Sequence, residues 1–113
     1  MIPINCHLWQ KEKLTPEDLD FEIVETIEES SHFDRSILRC KRCGQLYFYE
    51  FLEFIDWEGG DDKMHVTHIP IEEKDIEELK TKSSLELLAY SPRLQWDTHG
   101  ENADKVIWIG KED

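Results

Sequence analysis

The chain has 113 residues, 39% hydrophobic and 35% charged, with a formal net charge of −13. That length fits a single domain over 1–113, whose folding can hide roughly 60–70% of the unfolded surface without cross-links. The excess of acid repels a phosphate backbone, which weighs against nucleic acid as partner, and it speeds association with a basic protein.

Taken in chain order, residues 1–13 are mixed, with Cys6, His7 and Trp9 as the notable side chains. Thr15-Pro16-Glu17-Asp18 has the make-up of a capped turn. Phe21 to Glu28 alternates, Phe21, Ile23, Glu25 and Ile27 against Glu22, Val24, Thr26 and Glu28, which predicts a half-buried strand. Ser36 to Cys40 reads as a second strand. Cys43-Gly44 reverses the chain into Leu46–Ile55, where Leu46, Phe48, Leu52 and Phe54 lie on one side and Tyr47, Tyr49, Phe51 and Ile55 on the other. A strand apolar on both sides belongs in the middle of a sheet.

Gly59-Gly60-Asp61-Asp62 is a turn, and Met64 to Ile71 should run antiparallel to the aromatic strand, with Pro70 at its end or on an edge. Glu72 to Lys80 has helical composition. Ser83-Ser84 caps a further turn over Leu85 to Tyr90, which Pro92 ends. Arg93 to Trp96 is extended, 98–104 is a polar loop, and Val106 to Ile109 is a last strand. The expectation is an α+β fold: a mostly antiparallel sheet of five or six strands with one helical segment.

The acidity is spread evenly, with twelve acids against six bases before Trp57 and fourteen against seven after it. It is a property of the whole surface, not of a tail. No basic start followed by an apolar core suggests a signal peptide, and Leu46–Ile55 is too short and too interrupted by Glu50 and Glu53 to span a bilayer. A cytoplasmic protein is expected. Three cysteines in a reducing compartment point to metal before disulfides.

Cys40-Lys41-Arg42-Cys43-Gly44, between two extended segments, carries the chemistry. Two thiolates three positions apart reach one ion when the chain makes a tight knuckle, and Gly44 permits the backbone such a knuckle needs. Tetrahedral zinc wants four ligands. Cys6 is the third candidate. His7 is the first choice for the fourth and His32 the alternative, with a carboxylate or water also open. Chelation by the adjacent Cys6 and His7 requires a local kink, because neighbours in an extended chain point opposite ways. A thioredoxin-type redox pair would instead place the first cysteine at a helix N-terminus. Arg39, Lys41 and Arg42 offset the thiolate charge or meet an anionic partner.

Leu38-Arg39-Cys40-Lys41-Arg42-Cys43-Gly44-Gln45-Leu46 resembles a knuckle of the zinc-ribbon proteins, and Cys6-His7-Leu8-Trp9 resembles a degenerate first knuckle. The resemblance implies a small antiparallel sheet pinned by zinc. Many ribbons bind nucleic acid, a role the net charge argues against.

His65 and His68 are expected on opposite sides of their strand. The cluster Asp56, Glu58, Asp61 and Asp62 lacks the calcium-loop pattern. Glu72, Glu73, Asp75, Glu77 and Glu78 form an acidic ridge that could dock a basic partner, and Trp57, Trp96 and Trp108 line a pocket or belong to core and rim. No catalytic triad or phosphate loop stands out, and no catalytic residue is named. The expected role is a zinc-binding protein-interaction module docking on a basic partner, a bacterial immunity protein being one form. A zinc-ribbon nucleic-acid or transcription accessory and a small metal-dependent enzyme are the alternatives.

Overall fold

Strands that follow one another in sequence pair with one another in space. The computed structural model describes residues 1–111. Six strands, β1 (Phe21–Glu29), β2 (Phe33–Cys40), β3 (Leu46–Phe54), β4 (Lys63–Ile71), β5 (Arg93–Asp97) and β6 (Val106–Ile109), form one antiparallel sheet in the order of the chain. Three short helices accompany them, α1 (His7–Gln10), α2 (Ile76–Lys80) and α3 (Ser84–Leu87), with 3-10 turns at Pro16–Asp18 and Glu73–Asp75. This is the expected α+β arrangement, with additional helical structure at residues 7–10. No helix among the described residues is long and apolar enough to cross a membrane.

The aromatic strand β3 is central, paired with β2 on one side and β4 on the other. Its two-sided apolar pattern feeds two separate cores. On one face Phe48 packs with Ile37, Ile69 and Ile71 beneath Leu79 of α2 and Leu87 of α3. The hydroxyl of Ser83 accepts from the Glu86 amide and so starts α3 where the sequence places a cap. On the other face Tyr47 packs with Cys40, Leu94 and Val106 beneath Cys6 and Leu8 of the N-terminal segment. Helices this short do not persist alone, so packing on the sheet holds them.

Three features depart from simple alternation. β1 is mostly exposed, not half-buried, with Ile23 67% accessible. It lies at the sheet edge, and register shifts between Ile23 and Glu25 and between Thr26 and Glu28 break its two-residue period. Bulges of this kind bend and twist a strand. Pro70 sits inside β4, opposite Tyr47. It is tolerated there because β5 pairs with β4 only from His65 to His68, leaving that side of Pro70 without a ladder partner. Glu50, in the middle of β3, is 3% exposed.

Glu50 is stabilised by charge-assisted contacts. Arg35 Nη2 lies 2.7 Å and its Nε 2.8 Å from Glu50 Oε2, and the Ser84 hydroxyl donates to the same oxygen at 3.1 Å. Arg35 also donates to the Lys82 carbonyl at 2.7 Å, tying β2 to the chain between α2 and α3. Removing one member of such a pair leaves an uncompensated charge. Glu50→Ala should therefore destabilise by about 3–5 kcal/mol, while an apolar double replacement of Arg35 and Glu50 should cost less; urea unfolding of the two variants makes the comparison.

His68, also in β4, is stacked on Phe21 with ring centroids 5.1 Å apart and tilted against Tyr49 at the same distance. Burial pulls its pKa down from 6.5 to about 4. Unfolding therefore takes up a proton in that window. The stability is intact above pH 6.5 and is lost as pH falls toward 4, by on the order of 3 kcal/mol. His68→Phe should flatten the pH dependence of stability across this window relative to the parent, measured by thermal melts from pH 7 to pH 4.

Candidate metal centre

The reversal after β2 is a tight one. The Gly44 amide donates to the Cys40 carbonyl at 2.8 Å and the Cys40 amide to the Gln45 carbonyl at 2.9 Å. Gly44 has φ of 81°, a left-handed conformation that costs glycine little. The result is the knuckle expected from the spacing, with Cys40 at the end of β2 and Cys43 in the turn.

The N-terminal segment arrives from the other side. Cys6 is extended (φ −81°, ψ 134°), and the single turn of α1 begins at the next residue, His7. That change of backbone supplies the kink needed for two adjacent side chains to face one point. One ligand atom each from Cys6, His7, Cys40 and Cys43 lies within 4.8 Å of the others. His7 Nδ1 is 3.6 Å from Cys40 Sγ. Three cysteines and a histidine form a donor set that suits a tetrahedral ion, for which two thiolates stand about 3.8 Å apart. The cluster could hold a metal ion.

The surroundings suit that chemistry. His7 Nε2 lies 3.3 Å from the Asp18 carbonyl, so an Nε2–H donated there leaves Nδ1 free as a ligand. Asp18 is itself held in the Thr15 capping turn and by Lys11 at 2.6 Å. The Tyr47 hydroxyl donates to Cys6 Sγ at 3.1 Å. Burial, opposed by that bond, pushes the Cys6 thiol up to about 12. Burial likewise pushes the Tyr47 phenol well above its ordinary value, as does its bond to Cys6. Cys43 goes the other way: burial opposes ionisation, but the Gln45 amide and the Cys6 and Cys40 thiols outweigh it and lower its pKa. Cys43 is exposed, whereas Cys6 and Cys40 are each 1% accessible, and all three are free of disulfides.

Other candidate residues lie elsewhere. His32 precedes β2, a strand length or roughly 25 Å from Cys40, and its Nδ1 is 2.9 Å from Glu53. His65 and His68 sit on opposite faces of β4; His65 pairs with Asp97 at 2.9 Å. Arg39 is paired with Glu22 at 3.2 Å and Lys41 with Asp20 at 3.6 Å. Among the described residues, the two are engaged with carboxylates of the strand-one region. Trp57 is exposed and Trp108 packs edge-on against Trp9 with its Nε1 donating to the Leu8 carbonyl at 2.8 Å. The supporting roles of Asp18 and Tyr47 carried no sequence signal: one contributes a backbone carbonyl, and the other reads as an ordinary strand aromatic.

Because thiols must ionise to bind a cation, bound metal should compete with protons and its release should grow as pH falls. We expect a metal-loaded sample to lose thermal stability on chelation at neutral pH and without chelator at mildly acid pH, as followed by melting and released metal.

Comparison with protein-family models, curated protein sequences and solved structures finds no significant match.

Proposed function

We propose that this protein is a zinc-pinned interaction module that docks on a basic protein. The observation that carries the metal half is the convergence of Cys6, His7, Cys40 and Cys43 within 4.8 Å. Zinc is favoured over other ions by the soft thiolate-rich donor set. Four protein donors leave no open coordination position, which is the pattern of a structural site and not of a catalytic one. The ion would join residues 6–7 to the end of β2 and so fix the N-terminal segment against the Tyr47 face.

The partner half rests on charge. A net charge of −13 distributed over the whole sequence gives a field that attracts cationic surfaces and repels phosphate. An inhibitor of a basic enzyme, such as an immunity protein covering a nuclease, is one form this takes, since carboxylates can stand in for phosphates. The pairing of Arg39 and Lys41 with Glu22 and Asp20 takes cations away from a nucleic-acid role.

Purified protein should carry about one zinc per chain by elemental analysis. Cys40→Ser should abolish it and lower the melting temperature, because a structural ion contributes folding free energy. Parent protein that carries no metal as purified, and that melts no higher than Cys40→Ser when zinc is supplied, would refute the zinc site. For the partner, immobilised protein should retain basic proteins from a lysate at low salt and release them as salt rises; retention of none would refute the docking role.

A further inference from the structure

The N-terminal segment covers only the Cys40–Tyr47–Leu94 end of its face of the sheet. Beyond it the same face opens into a cleft of about 610 Å³ that crosses from β1 to β5. Leu38, Tyr49, Phe51, Val66, His68 and Trp96 line it, with Leu19 of the N-terminal segment as one wall. From this cleft we infer the docking site itself: it seats an extended segment of the basic partner, bulky apolar side chains on the floor and lysines or arginines at the rim. The assignment rests on the reading of the protein as a module for a basic partner, and it names the surface and the kind of segment.

Three independent features support that occupant. The floor is aromatic and aliphatic, so covering it releases water from apolar surface. The rim is acidic. Glu28, Glu29 and Asp34 border the cleft, and none is in an ion pair with a described residue, whereas neighbouring Glu25 is paired with Lys80 and Glu50 with Arg35. Asp34 adds its negative charge to burial in raising the pKa of Tyr49.

The third feature is unmet hydrogen bonding. His68 is 4% exposed and lines the cleft, yet its ring makes no hydrogen bond to another described residue. Trp96, also in the lining, has a buried Nε1 with no partner among the described residues. Buried polar groups are ordinarily paired. A peptide backbone carries both donors and acceptors with which to meet such groups. Five neighbouring strands span about 20 Å, room for an extended segment of about six residues. Apolar seats flanked by carboxylates suit side chains of opposite character alternating along such a segment.

The test uses two dye-labelled synthetic peptides of equal length and charge. One alternates lysine with phenylalanine and leucine; the other replaces the apolar residues by serine. Fluorescence anisotropy at low salt should show the first binding the parent protein about tenfold more tightly than the second. Phe51→Ser should weaken the first peptide by about tenfold, as should Glu28→Gln/Glu29→Gln/Asp34→Asn. Glu73→Gln/Glu77→Gln/Glu78→Gln, which removes the same charge from the ridge on the other side of the sheet, should leave it within about twofold. The two polar rim and ridge variants keep the apolar floor, so they report on docking even if Phe51→Ser is unstable.

Loss of binding in the ridge variant alone would overturn the cleft and leave the basic-partner reading standing. Equal affinity for both peptides would do the same, since charge alone would then account for binding. If the parent binds neither peptide yet retains basic proteins from a lysate, the cleft fails by itself; if it retains neither, both readings fail. Binding of phenethylamine without binding of the peptide would reassign the cleft to a small amine and overturn the docking segment.

Discussion

The meeting of residues 6 and 7 with residues 40 and 43 is the constraint on which the arrangement of the sheet's open side depends. Nothing else in the first twenty residues is long enough to hold itself: α1 is a single turn, and its only fully buried side chain is Leu8. What keeps this segment in place is contact with the sheet. Cys6 and Leu8 fill the core over Tyr47, the Trp108 indole binds the Leu8 carbonyl, and Leu14 bridges to Val106. The four-residue cluster stands where the segment enters and joins it to the knuckle at the end of β2.

The two faces of the sheet solve the same problem differently. The Phe48 face is closed by α2 and α3, with Leu79 and Leu87 buried and the Arg35–Glu50 pair linking sheet and helices. The Tyr47 face has no such layer. The N-terminal segment covers one end of it and leaves the other open. The cleft is the uncovered remainder of a face whose pattern is that of an interior surface, and Leu19 and Pro16 of the same segment form part of its border. The candidate metal centre and the cleft are therefore mechanically connected: whatever fixes residues 6–7 also positions a wall of the cleft.

Polar groups mark where this design departs from a simple two-layer packing. Glu50 lies in the core because Arg35 and Ser84 both reach its Oε2. His68 is equally buried but packs against the rings of Phe21, Tyr47 and Tyr49, and burial keeps it neutral. The first links the sheet to the helices. The second lies at the border of an open cleft, where hydrogen-bonding capacity is left over.

The sequence by itself determined the strand order's raw material and the knuckle. Alternation and turn residues placed β3, β4 and β6 closely, because two-residue periodicity and glycine turns are local properties. Cys40, Cys43 and Gly44 were legible for the same reason, since their spacing creates the turn. Only tertiary structure decided that β1 is an exposed, bulged edge, because an extra residue in a strand shows only against its partner. The sequence nominated Cys6 and His7 by residue type and left His32 open as an alternative; tertiary structure gathers the first two at the knuckle and pairs His32 with Glu53, since contacts across more than thirty residues depend on how the sheet folds the chain back. Tertiary structure also decided which acids are buried and which border the cleft: Glu50 and Glu28 look alike in sequence, and only packing gives one an arginine and leaves the other without an ion pair among the described residues.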